Sequence, residues 1–450
     1  MTTMTRTAPA PPVRHVHLGL GNFFRAHQAW YTHHAPDAQE WGIAAFTGRS
    51  PDLALAMAAQ DGLFTLDTRG PDGDAFEVVT SVVEPRAAQD HEAWITRVAD
   101  PAVAVLTSTV TEAGYVRGAD GRPDTARDDV QADLATLREE PTARVRTAPA
   151  RILAGLMARR HADAGPLTVV PCDNLPDNGA AVRTVVHAMA ELVDPTMVGW
   201  LEQNVAWVTT MVDRITPEPT DADVDLVRRG TGVEDRAPVV TEPFSEWVLS
   251  GSMIAGSPDW AAAGAIVTDD VAPFEARKLG LLNGAHSLLA YAGSVRGHRT
   301  VRDAITDDVC RGWVEHWWDE ASAHLTLPHE DVAEYRRALL DRFANPAIRH
   351  LLAQIAMDGS QKLPVRVLPT LRRERAAGRV PVGAARVLAA WVRHLRGDGA
   401  PVRDPRGEEL SGLAGGSLDE AVARVLGAMD AALADDVELR GVVVALAREL

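Results

Sequence analysis

The chain has 450 residues, too many for one ordinary hydrophobic core, so two domains are expected. Its composition, 46% apolar and 24% charged, is that of a soluble globular protein, and no apolar run approaches the roughly 18 residues a membrane span needs. A formal charge of -17 speaks against a nucleic-acid partner, and two cysteines, Cys172 and Cys310, exclude a disulfide framework and argue against a cysteine-built metal centre.

Residues 1–14 are rich in Thr, Ala and Pro and lack the apolar stretch of a secretory signal. They read as a flexible tail on a cytoplasmic protein. Residues 13–20 read as a short strand that runs into Gly19, Leu20 and Gly21, followed by a helix over 24–34. Residues 41–46 and 76–83 read as further strands, the second rich in valine. A short buried strand over 103–106 precedes Thr107 to Glu112. Helices are expected over 125–137 and 150–162, then a strand over 167–170 that ends at Pro171, Cys172, Asp173 and Asn174. Strands over 205–212 and 239–247 complete the pattern. Short apolar strands alternating with helices predict an α/β fold, a Rossmann-type doubly wound parallel sheet, over 15–270. Beyond residue 271 nearly everything reads as amphipathic helix, for example 331–343, 346–357 and 384–396, so 271–450 is expected to be a mostly helical domain.

Gly19 and Gly21 follow the first strand, where glycines let backbone approach a pyrophosphate at a helix N-terminus. The third glycine of that pattern is replaced by Phe24. The second strand ends at Thr47, Gly48 and Arg49, without the acid that reads a ribose; the nearest acid is Asp52. The choice between NAD and NADP is therefore open on physical grounds.

Of 45 Lys and Arg residues only two, Lys278 and Lys362, are lysine. Arginine serves equally well as a solvated charge but cannot give up its proton near neutral pH, so each surviving lysine invites a chemical role. Lys278 lies on a greasy helical stretch with Glu275, Asn283 and His286. At about 100° per residue these four span roughly 140° of arc, and Arg277 points away as a solvated charge. Such a stripe suits alcohol oxidation. A lysine beside an apolar wall can take a hydroxyl proton. Asn283, with Asn174 beyond the end of a strand, can hold a developing alkoxide. Glu275 can relay the proton to water, and His286 can bond another hydroxyl.

Several segments together resemble one family, the polyol-specific long-chain dehydrogenase/reductases or mannitol dehydrogenase family. They are the run from Gly19 to His27, Thr109-Val110-Thr111-Glu112 with Gly114-Tyr115, and Cys172-Asp173-Asn174 with Pro176 and Asn178-Gly179. Met211 to Pro217, Thr241 to Phe244, the Lys278-x4-Asn283-x2-His286 spacing and Asp358 to Pro364 complete the set, in the family's order. The resemblance implies a zinc-independent, NAD-dependent polyol dehydrogenase, with NADP as the other cofactor to consider. It implies Lys278 as base, Asn174 and Asn283 around the oxyanion, Glu275 in proton transfer, and Asp213, His286 and Lys362 or Arg366 as substrate contacts. Cofactor contacts fall on Gly19, Gly21, Asn22, Phe23, Arg25, Thr109, Thr111 and Glu112. The partners implied are small molecules: a polyol and its ketose, or a uronate if the chain is instead a fructuronate or tagaturonate reductase. No nucleic acid or membrane is implied, and many family members are monomers. A non-catalytic nucleotide sensor is the reading from another class, but it would have no use for the Lys, Asn and His stripe.

Overall fold

A computed structural model describes residues 2–450, with side chains from Met4 onward. It divides into two compact units, Met1–Ala272 and Pro273–Leu450. Among the described residues no helix is long and apolar enough to cross a membrane.

The first unit is built on six strands: β1 (Val13–Leu18), β2 (Gly42–Phe46), β3 (Val82–Arg86), β4 (Val105–Ser108), β5 (Leu167–Pro171) and β6 (Val205–Trp207). They pair in the order β3-β2-β1-β4-β5-β6, every pair parallel. That is the strand order of dinucleotide-binding sheets, and it reverses between β1 and β4, the point at which such sheets bind their ligand beyond the strand C-termini. Alternate residues serve opposite faces. Val16, Leu18, Ala44 and Phe46 pack with the helices His91–Val98, Asp128–Glu139, Ala148–His161 and Asn178–Val193. Ile43 and Ala45 pack with Phe24, Ala29, Ala54 and Met57 on the other side. Burial on both faces is why these strands read as near-continuous apolar runs.

Several expected elements are divided. The helix expected over 24–34 is two, Asn22–Ala26 and Gln28–His34, separated at His27 by a non-helical backbone (φ -125, ψ -90). The strand expected over 76–83 splits between Gly73–Val79, which forms an antiparallel hairpin with Phe64–Gly70, and β3. Thr209–Asp213 leaves the main sheet to pair with Glu246–Ser250, and Val239–Thr241 joins the hairpin instead. Pro243, which has no N–H for a ladder, falls between those last two strands. The first residues are not the loose tail expected. Thr2–Thr3 pair with Val233–Glu234, and Arg6 donates to the carbonyls of Asp61 (2.9 Å) and Thr80 (2.7 Å). One arginine donating to several carbonyls helps to hold that segment down.

The second unit is helical, with Val382–Leu395 buried along most of its length against Asp308–Ser322 and Val437–Glu449. Trp317, Trp318 and Trp391 are fully buried in it. The helix expected over 346–357 shrinks to Leu352–Ile355. Its first half runs extended because the 299–301 backbone pairs with it: Val301 N–H donates to the His350 carbonyl and Leu352 N–H to that of Arg299 (both 3.0 Å).

Candidate active site

In the first unit the residues expected at a cofactor cluster at the C-terminal edge of the central strands. Gly19 sits at φ +116, and a Cβ there would lie 2.5 Å from the Thr109 carbonyl oxygen and 2.7 Å from its Oγ1. Only glycine lets the β1 turn approach the β4 turn this closely. The Gly19 and Leu20 N–H groups both donate to the Phe46 carbonyl (2.8 Å), tying the turn to β2. Phe24, in place of the third glycine, stacks on His17 with ring centroids 3.6 Å apart. At the end of β2, a side chain built on Gly48 would meet nothing within 4 Å. A tight glycine turn at the switch point with open space beyond the second strand fits a dinucleotide.

Asn22 bonds Glu218 (2.8 Å), and Phe23 stacks on His27 (4.9 Å between centroids). Thr111 and Glu112 are exposed just past β4. Arg25 departs from the expected cofactor contact. It is 2% exposed, and its guanidinium is taken up by the carbonyls of Gly21 and Ala237 and by Asn22 Oδ1. Burial brings its pKa down to about 10. Arg25 therefore braces the turn from inside.

Asn174 is exposed just beyond β5. Its neighbour Asp173 accepts hydrogen bonds from the Tyr115 hydroxyl and from the Leu175 N–H (2.8 Å). Burial raises the Asp173 pKa to about 6. Buried Asn178 reaches across to Thr210, accepting from its N–H (2.9 Å) and donating to its carbonyl (3.1 Å). This ties the start of the helix after β5 to the strand that ends at Asp213, which is 5% exposed. Arg214 beside it donates to the Ala26 and Glu242 carbonyls and covers the Trp30 ring at 4.7 Å.

In the second unit the stretch expected to carry the catalytic residues is not a regular helix. Ala272–Arg277 is α-helical, Lys278–Asn283 is π-helical, Gly284–Leu288 is α-helical and Leu289–Gly293 is again π-helical. A π-turn closes its hydrogen bond over five residues rather than four, so Lys278 and Asn283 come nearer to each other around the axis than an α-helix would place them. The Trp317 and Trp318 indoles donate to the carbonyls of Gly280 and Leu281 (both 2.9 Å), pinning the widened turn. Gly284 is required there, since a Cβ would lie 2.5 Å from the Trp317 ring. Glu275, Lys278 and Asn283 are half-exposed and His286 is 7% exposed. Arg277 is not the solvated charge expected: it is 5% exposed and lies over the Tyr335 ring at 4.1 Å. Cation–π attraction to the Tyr335 ring favours the inward turn.

Helix Gly359–Arg366 packs against this stretch. Its close approach depends on Gly359, where a Cβ would lie 2.4 Å from the Tyr291 hydroxyl and 2.6 Å from the Trp391 indole nitrogen. Asp404 anchors its start through Ser360 N–H (2.7 Å) and hydroxyl (2.6 Å). Lys362 Nζ lies 3.3 Å from the Ile355 carbonyl, and Arg366 Nη1 lies 3.5 Å from Ser287 Oγ, next to His286. Burial lowers both pKa values, and Arg366 lowers that of Lys362 further. Residues the sequence reading missed also surround His286: Phe343 (4.9 Å between centroids) and His350 (5.0 Å). They come from the region expected to be regular helix, so no periodic signal pointed to them. Among the described residues two groups bring three metal-ligand atoms together, His33-His34-Glu77 and His298-Asp307-Cys310. Neither contains an expected site residue, and Asp307 of the second is already held by Arg296 (2.8 Å).

Residues 13–262 match the mannitol dehydrogenase Rossmann domain, and residues 270–446 the mannitol dehydrogenase C-terminal domain. The chain is 38% identical over 408 residues to D-arabinitol 4-dehydrogenase of Ralstonia nicotianae, covering 88% of this chain and 85% of that protein. It is 36% identical over 394 residues to D-mannonate oxidoreductase of Escherichia coli K12, covering 85% and 80%. Among solved structures it is similar to Pseudomonas fluorescens mannitol 2-dehydrogenase in ternary complex with NAD and D-mannitol. The TM-score is 0.82 at 33% identity, covering 100% of this chain and 94% of that one. The chain is an oxidoreductase of the mannitol dehydrogenase family.

Proposed function

We propose that this protein is a metal-independent, NAD-dependent dehydrogenase that interconverts a sugar alcohol and a ketose, with Lys278 as general base. The observation that carries the reading is the π-helical segment Lys278–Asn283, which begins with one of only two lysines in the chain and ends with an asparagine, both half-exposed. A bound nicotinamide would supply the acceptor for the hydride lost from the carbinol carbon. The neutral Lys278 amine takes the hydroxyl proton, and the Asn283 and Asn174 amides donate to the oxygen as it gains charge. Glu275, three residues before Lys278, passes the proton on to water. His286 and Asp213 bind further hydroxyls. Gly19, Gly21, Thr109, Thr111 and Glu112 line the cofactor. At the β2 end, Asp52 is engaged by the Ser50 hydroxyl (2.6 Å), which leaves NADP admissible beside NAD.

A second reading has its own support. Arg366 and Lys362 lie on a helix packed against the Lys278 stretch, and two cations there suit a carboxylate. On this reading the protein reduces a hexuronate such as fructuronate or tagaturonate. A nicotinamide-absorbance screen separates the two. NADH and NADPH are tested with fructose, xylulose, fructuronate and tagaturonate, and NAD and NADP with the polyols. Turnover of neutral substrates supports the first reading and turnover of uronates alone the second. No turnover of any pair would refute both.

A further inference from the structure

Parallel strands buried on both faces are ordinarily apolar throughout. The centre of this sheet breaks that rule. His15 and His17 of β1 lie on one face with Thr107 of β4, all fully buried, and His17 stands directly opposite Thr107. His15 Nε2 is 2.6 Å from Thr107 Oγ1, and His17 Nδ1 is 2.7 Å from the same oxygen. His17 Nε2 is 3.1 Å from Thr109 Oγ1, which donates to the Gly19 carbonyl at 2.8 Å.

These contacts have one consistent direction. Thr109 spends its proton on Gly19, so it accepts from His17 Nε2–H. A neutral His17 then accepts at Nδ1, and Thr107 is the donor. Thr107 in turn accepts from His15 Nε2–H. The bare His15 Nδ1 is buried with no hydrogen-bond partner among the described residues, so a second proton there would have nothing to bond. Burial holds both imidazoles neutral: it takes the His15 pKa to about 3 and that of His17 well below its ordinary value.

We propose that His15, Thr107, His17 and Thr109 are positioning residues. They form a one-way hydrogen-bond chain that ends on the Gly19 carbonyl and fixes the glycine turn for the dinucleotide. The role rests on the nicotinamide reading above. The turn and Thr109 are close enough that a Cβ on Gly19 would lie 2.5 Å from the Thr109 carbonyl oxygen, so a shift of the threonine is felt by the turn. Phe24 stacked on His17 keeps the imidazole plane from rotating.

The test combines histidine-ring 15N spectra with the dissociation constant for NADH. In the wild type both rings should be neutral with the proton on Nε2 from about pH 6 to 9. Thr107→Val should alter the His17 ring signals and weaken NADH binding roughly five- to fifty-fold, with kcat at saturating cofactor retained; Thr107→Ser should restore both. Ser81→Ala removes a buried hydrogen bond elsewhere in the unit, from Ser81 to the Ala29 carbonyl (2.7 Å), and should lower stability without changing NADH affinity. A His17 proton on Nδ1, or a folded Thr107→Val protein that binds NADH like the wild type, would overturn the inference. A wild type that binds neither NADH nor NADPH while its tautomers stay as assigned would instead bring down the cofactor reading, and the proposed role with it.

Discussion

Gly284→Ala is a one-carbon change whose cost follows from the packing around the Lys278 turn. The added methyl would sit 2.5 to 2.7 Å from three atoms of the Trp317 indole, a ring with no exposed surface. The indole must retreat, and overpacking of this kind costs about 1–3 kcal/mol. Its retreat stretches the bond from Nε1 to the Gly280 carbonyl, now 2.9 Å, adding about 1 kcal/mol or more for a buried acceptor left poorly paired. A total of about 3 kcal/mol corresponds to a fall in melting temperature of about 6–12 °C for a unit of this size. The same carbonyl belongs to the π-turn that carries Lys278 and Asn283, so a displacement of about 1 Å should lower kcat by about 10²-fold. The control is Gly280→Ala in the same turn, where a Cβ meets only the Ala321 methyl at 3.7 Å. It should be neutral or slightly stabilising. The assay is calorimetry plus steady-state turnover well below both transitions. A Gly284→Ala protein with unchanged melting and kcat would refute the claim that Trp317 pins the turn.

Three other outcomes are expected. Lys278→Ala should lower turnover about 10² to 10⁴-fold, and in the wild type oxidation should speed up as pH rises while reduction slows, because the base must be neutral for one direction and protonated for the other; pH–rate profiles in both directions check this. Asp173→Asn should stabilise the protein at neutral pH. The Asp173 pKa is raised to about 6, so the fold favours its protonated form, the ionisation penalty is present above about pH 6, and it fades as pH falls toward the ordinary carboxylate range. Melting curves of both proteins across that window should converge at low pH; a variant less stable at pH 7.5 would contradict the assignment. Chelators should leave activity intact, and loss reversed by added zinc would sink the metal-free mechanism.

Much of the candidate site stood out in the sequence because it broke local rules. Two lysines among so many arginines stand out, and so does a polar stripe on the Lys278 stretch. The sheet was legible because strands buried on both faces are almost purely apolar. What was hidden depends on partners distant in sequence. Nothing local signals a π-turn; it exists because Trp317 and Trp318 accept its displaced geometry. Arg277 turned inward for a Tyr335 ring no periodicity could supply. Arg6 found carbonyls far along the chain. Some misses were readable. Pro71-Asp72-Gly73 is a turn signal between two strands, and Pro243 breaks the strand expected over 239–247. The alternation of His15 and His17 within an apolar strand was equally visible, but its meaning needed Thr107 opposite.

The central claim, that Lys278 is the base, is tested most directly by chemical rescue. Lys278→Ala is assayed for polyol oxidation with small primary amines added over a range of pH. The account predicts a slow variant whose rate rises in proportion to the concentration of the neutral amine, with cofactor affinity unchanged. A variant that keeps the wild-type rate and pH profile without added amine would contradict it.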